Sequence, residues 1–111
     1  MTFSELVRDL KKIPFDEIRK EADGYFELVI STRHLTHLYP ILENYYGVPF
    51  KPPGLAPSQE ARDVARNYGG IYTQQTLYYL KRGEISDCAM IWPWNDGQRA
   101  TVKMARGVIE A

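Results

Sequence analysis

Three runs between Gly69 and Met104 alternate apolar with polar residues: Ile71 to Leu80, Ile85 to Trp94 and Gln98 to Met104. Alternation at a period of two puts successive side chains on opposite faces of a pleated strand. Short turn signals join the runs. Arg82-Gly83 lets the chain reverse with glycine at positive φ, and Asn95-Asp96-Gly97 is a strong hairpin signal. The region therefore predicts an antiparallel meander. With Asp96-Gly97 as the turn, Trp94 faces Arg99, Trp92 faces Thr101 and Met90 faces Lys103. Ala89, Ile91, Val102 and Met104 then share the opposite face.

The rest of the chain supplies helices and one further strand. Thr2-Phe3-Ser4-Glu5 reads as a capping box, followed by Phe3, Leu6, Val7 and Leu10 at helical spacing. Pro14 interrupts this helix. Phe15, Ile18 and Ala22 suggest a short second helix stopped by Asp23-Gly24. Tyr25 to Ile30, rich in aromatic and β-branched residues, predicts a fourth strand. Leu35, Leu38, Leu42 and Tyr45 fit a helix that Pro40 would kink, and its firm part is Pro40 to Tyr46, with Pro40 at the first helical position and Gly47 just past the end. Gly47 to Pro57 holds four of the seven prolines, which makes it an extended connector. Ser58 caps a last helix, with Ala61, Val64, Ala65 and Tyr68 inward and Arg62 and Arg66 outward, ending at Gly69-Gly70.

The expected fold is α+β over residues 1–111 as a single domain: a four-stranded, mainly antiparallel sheet with helices packed on one face and element order α-α-β-α-α-β-β-β. Lysine plus arginine and aspartate plus glutamate number 14 each, for a formal net charge of +0. A neutral chain lacks the long-range field that draws proteins to phosphate backbones or anionic lipid, which argues against nucleic acid and membrane partners. The single cysteine, Cys88, cannot form an internal disulfide and reads as a small packed side chain. No apolar stretch reaches the length of a membrane span, and the amino terminus does not read as a signal peptide. These features predict a cytoplasmic protein.

Two constellations bear on function. The face carrying Met90, Trp92 and Trp94, with Cys88 and Leu77, would be a large apolar patch if left in water. A second subunit is one cover for it, predicting a homodimer or larger homo-oligomer. The alternative cover is the proline-rich connector or a terminal helix. The second constellation joins Tyr45, Tyr46, Tyr68, Tyr72, Tyr78 and Tyr79 with Gln74 and Gln75, polar amides expected inside a strand and in need of partners. Tyr72, Gln74, Gln75, Tyr78 and Trp92 form the candidate ligand-binding set for a small-molecule or protein ligand.

Other signals are weaker. His34 and His37 are spaced to share a metal, but no third ligand is fixed by spacing, so no metal or cofactor is assigned. Cys88 with a histidine lacks any local catalytic motif. Pro49 to Pro52 matches a bare PxxP, better read as a structural connector. Arg62, Arg66, Arg82, Arg99, Lys103 and Arg106 would make a local anion or nucleic-acid site only if several converged. The expected role is a small soluble homo-oligomeric binding or regulatory domain without a catalytic signature. The competing expectation is a small enzyme with a Tyr/Gln/Trp-lined pocket, with Arg66 or His34 supplying charge.

Overall fold

Thr2 and Glu5 form the expected capping box. The Thr2 hydroxyl accepts from the Glu5 amide at 3.2 Å, and the Thr2 amide donates to the Glu5 carboxylate at 3.4 Å. These bonds satisfy amides that a first helical turn leaves unpaired. In the computed structural model, which describes residues 2–108, α1 (Phe3–Leu10) buries Phe3, Leu6, Val7 and Leu10 along one side.

The segment after Pro14 corrects the sequence reading. The expected second helix is instead a strand, β1 (Glu17–Ala22), paired antiparallel with β2 (Tyr25–Ser31). Asp23-Gly24, read as a helix stop, is the hairpin turn: Ala22 pairs with Tyr25 and Gly24 has φ +74°. Pairing with a strongly strand-forming neighbour overrides the weak helical spacing of Phe15, Ile18 and Ala22. All of β1 is solvent-exposed, and its register shifts between Ile18 and Lys20.

After a 3-10 turn over Thr32–His34, α2 (Leu35–Tyr46) continues through Pro40, which lies inside the helix and not at its first position as expected. Pro40 is exposed, so its missing amide removes one internal bond on the solvent side. The meander forms as expected from β3 (Thr76–Arg82), β4 (Ile85–Pro93) and β5 (Arg99–Val108). Met90 pairs with Lys103 and Trp92 with Thr101, and the Trp94 amide donates to the Arg99 carbonyl at 2.9 Å. β3 begins at Thr76, later than expected, because Ile71 to Gln75 is a turn segment. The sheet has five strands, one more than expected, in the order β1-β2-β5-β4-β3, all antiparallel.

Both faces of this sheet are covered, where helices were expected on one. On the first, α1 and α2 pack Leu6, Leu10, Leu38 and Leu42 against Phe26, Leu28, Ile91, Val102 and Met104. Asp87 is buried on the same face. It accepts from the Tyr45 hydroxyl at 2.8 Å and lies 3.5 Å from the Arg106 guanidinium, so a carboxylate taken out of water keeps a donor and a counter-charge.

On the second face, α3 (Gln59–Ala65) is capped by Ser58, whose hydroxyl accepts from the Ala61 amide at 3.1 Å. Ala61 and Ala65 pack with Leu77, Cys88, Met90 and Ala105, their small side chains letting the helix approach the sheet. The proline-rich connector completes the cover. Phe50 meets Tyr79 edge-on with centroids 5.4 Å apart, and Lys51 exchanges both backbone hydrogen bonds with Leu77. The chain's own segments thus occupy the face that motivated a second subunit. No helix among the described residues is long and apolar enough to cross a membrane.

Lys51 holds this cover in place. Its side chain is buried and its ammonium donates to the carbonyls of Pro52, Thr73 and Gln75, tying the connector to the segment leading into β3. The Gly54 amide reinforces the tie by donating to the Thr73 carbonyl at 2.8 Å. Replacing Lys51 with methionine keeps the apolar stem but strips the Pro52 and Gln75 carbonyls of this donor. The expected cost is about 2–4 kcal/mol, from charge-assisted bonds lost at a buried site. Urea denaturation of Lys51→Met checks this; an unchanged midpoint would show that the ammonium does not hold the connector.

Candidate functional site

The segment between α3 and β3 is built of two successive turns, and beside it the surface is concave. A 3-10 turn over Arg66–Tyr68 extends α3, and the Gly70 amide closes it by donating to the Ala65 carbonyl at 3.0 Å. Tyr72 to Gln75 then forms a turn closed twice. The Gln75 amide donates to the Tyr72 carbonyl, and the Tyr72 amide donates to the Gln75 side-chain oxygen, both at 3.0 Å. With Lys51 holding the carbonyls of Thr73 and Gln75 from behind, this wall is fixed on several sides.

Between that wall and α3 lies an open groove of about 920 Å³. Arg62 and Arg66, one turn apart, border it from the helix, and Gln74 and Gln75 from the turn. Asn95, from the β4–β5 loop, and Pro57, from the connector, also line it. Arg66 is paired with Asp63, whereas Arg62 has no ion-pair partner among the described residues. No aspartate, glutamate, histidine or cysteine lines the groove among the described residues.

Gly69 makes the fit beside the groove. A Cβ added there would lie 2.4 Å from Cη2 of Trp92, and its φ of +98° is a conformation L side chains rarely adopt. On its ring face Trp92 carries the Lys103 ammonium, 3.4 Å from the ring centroid, which also donates to the Tyr68 carbonyl at 3.0 Å. Burial lowers the Lys103 pKa, and the charge of Glu27 partly opposes this. The indole N–H of Trp92 is buried with no hydrogen-bond partner among the described residues.

The candidate ligand-binding residues are therefore divided by the sheet. Tyr72, Gln74 and Gln75 border the groove, in a turn and not in a strand interior, and Trp92 lies next to it behind Gly69. Tyr78 is elsewhere. It is buried on the face covered by α1 and α2, 6.0 Å from the Tyr46 ring, with its hydroxyl pushed up to about 12 by burial and by the charge of Glu43.

The basic residues divide similarly. Arg62 and Arg66 meet at the groove, Arg99 stacks on Trp94, and Arg82 and Arg106 lie near Tyr45 and Asp87 on the other sheet face. Alternation could have located Asp87: counting back by twos from inward-facing Ile91 and Ala89 reaches it. The convergence of Arg62 with Gln74 and Asn95 had no sequence signal, since it joins a helix, a turn and a distant hairpin loop.

The remaining candidates carry no built chemistry. His34 and His37 have ring centroids 6.1 Å apart, and no group of three or more potential metal ligands is present among the described residues. Cys88 is buried under α3, and burial pushes its thiol up to about 12, far from the range of a reactive thiolate. Comparison of the chain with protein-family models, with curated proteins and with solved structures finds no match.

Proposed function

We propose that this chain is a small binding domain that takes its ligand in the groove between α3 and the turn from Tyr72 to Gln75. The observation that carries the reading is the groove's lining, which offers guanidinium and amide donors and no side chain that titrates near neutral pH. Such a surface holds a ligand by hydrogen bonds and charge; general acid–base or thiolate chemistry would need groups it does not present. The fixed turn supports the same reading, because a wall held before binding costs little to order when the ligand arrives. The expectation of a homo-oligomer rested on a bare sheet face, and with that face covered internally the proposal invokes no subunit interface.

Heteronuclear NMR of the labelled chain tests this against mixed short peptides and small polar compounds. Bound ligand is expected to shift the amide signals of Gly69, Gly70 and Tyr72 to Gln75 together, leaving those of Leu42 and Val102 in place. Shifts centred on another surface would overturn the assignment.

A further inference from the structure

Resting on the reading of the groove as the binding site, we infer that its ligand is an acidic segment of another protein, with carboxylates meeting Arg62 and Arg66 and an apolar side chain lying against Tyr72. Charge is the first reason. The chain as a whole is neutral, yet the groove's lining includes Arg62 and Arg66 and no carboxylate among the described residues, so the surplus is local. Arg62 has no ion-pair partner among those residues. Arg66 offers five N–H donors, more than its one partner Asp63 occupies. Planar guanidinium groups match carboxylates with two parallel bonds, and arginine is enriched at protein interfaces for this reason.

Shape and polarity give the second reason. The groove is open, so a small anion would stay largely in water, whereas a peptide can lay several side chains against it. Tyr72 remains 66% exposed at the groove, and Leu55, immediately before the groove-lining Ala56 and Pro57, 57%. These side chains offer apolar cover that a simple anion would not use. Proline and the Lys51 tie hold this rim rigid, which favours docking over reordering.

Nucleic acid fits less well. Among the described residues the groove presents only Tyr72 as an exposed ring for base stacking, because Trp92 is closed off by Gly69 and Lys103.

The probe is a labelled peptide alternating glutamate with leucine and tyrosine, measured by NMR and fluorescence anisotropy beside its glutamine counterpart and an oligothymidine strand. The glutamate peptide is expected to move the signals of Gly69, Gly70 and Tyr72. Its affinity should fall with added salt and drop at least about tenfold in the doubly reversed Arg62→Glu, Arg66→Glu chain. Equal binding of both peptides at the groove would overturn the acidic partner while leaving the groove as a binding site. Groove shifts with neither peptide nor any other ligand would overturn both. Tighter binding of oligothymidine would reassign the groove to nucleic acid. Self-association of the unmodified chain abolished by the double reversal, without peptide binding, would assign it to a second copy.

Discussion

Gly69→Ala is expected to destabilise the fold by about 2–5 kcal/mol, as the sum of backbone strain and overpacking. The methyl group would sit 2.4 Å from the Trp92 ring, and the backbone φ of +98° disfavours any side chain. The crowding extends to Lys103, whose ammonium would lie 3.1 Å from the added carbon, sits 3.4 Å from the ring centroid and is itself held by the Tyr68 carbonyl, so ring and ammonium would have to shift together. Gly70→Ala separates the two costs. Its φ of +84° carries similar strain, but an added Cβ there would meet nothing closer than Tyr72 at 3.9 Å. That variant should lose only about 1 kcal/mol. Urea denaturation of both chains gives the comparison, and equal losses would mean that Trp92 moves aside.

Alkaline pH should unfold the protein over a window set by its buried hydroxyls and thiol. Burial, then the hydrogen bond to Asp87, pushes the Tyr45 hydroxyl up to about 12, and burial raises Tyr78 and Cys88 to about 12 as well. Tyr46 is raised in the same direction. In the unfolded chain the tyrosines ionise near 10.0 and the thiol near 9.0. Between those values and about 12 the folded state binds more protons, so stability falls as pH rises. Each such group removes up to about 1.4 kcal/mol per pH unit. Lys51 and Lys103 act oppositely: burial lowers their folded pKa below 10.5, so their share of stability grows with pH up to that value. The four hydroxyl and thiol groups outweigh the two lysines, and the net loss by pH 11 should reach several kcal/mol, a large part of a small domain's total. Denaturant midpoints from pH 8 to 11, with tyrosinate absorbance followed in parallel, measure it. A flat profile would mean that these groups ionise without opening the fold.

The reach of the sequence followed the range of the forces involved. The capping box at Thr2, the Ser58 cap and the meander register are decided by neighbours a few residues apart, and each appears as expected. Asp23-Gly24 shows the limit. The same dipeptide can end a helix or turn a hairpin, and only pairing between Glu17–Ala22 and β2 chooses the second. Periodicity also placed Met90 and Trp92 on one face, yet it could not reveal that α3 and the connector would fold back over it, since that contact joins segments with no mutual pattern. The groove belongs to the same class: Arg62 looked like solvated helix surface until the fold brought Gln74 and Asn95 opposite it.

An open sheet ends in two flanks where further strands, and eventually fibrils, could grow. At β1 a newcomer would find the register broken between Ile18 and Lys20 and the side chains of Glu17, Arg19, Lys20 and Glu21 along the ladder. At β3 the backbone groups of Leu77 are already committed to Lys51. Each flank thus carries its own stop, which protects a strand-rich chain from runaway polymerisation at high concentration.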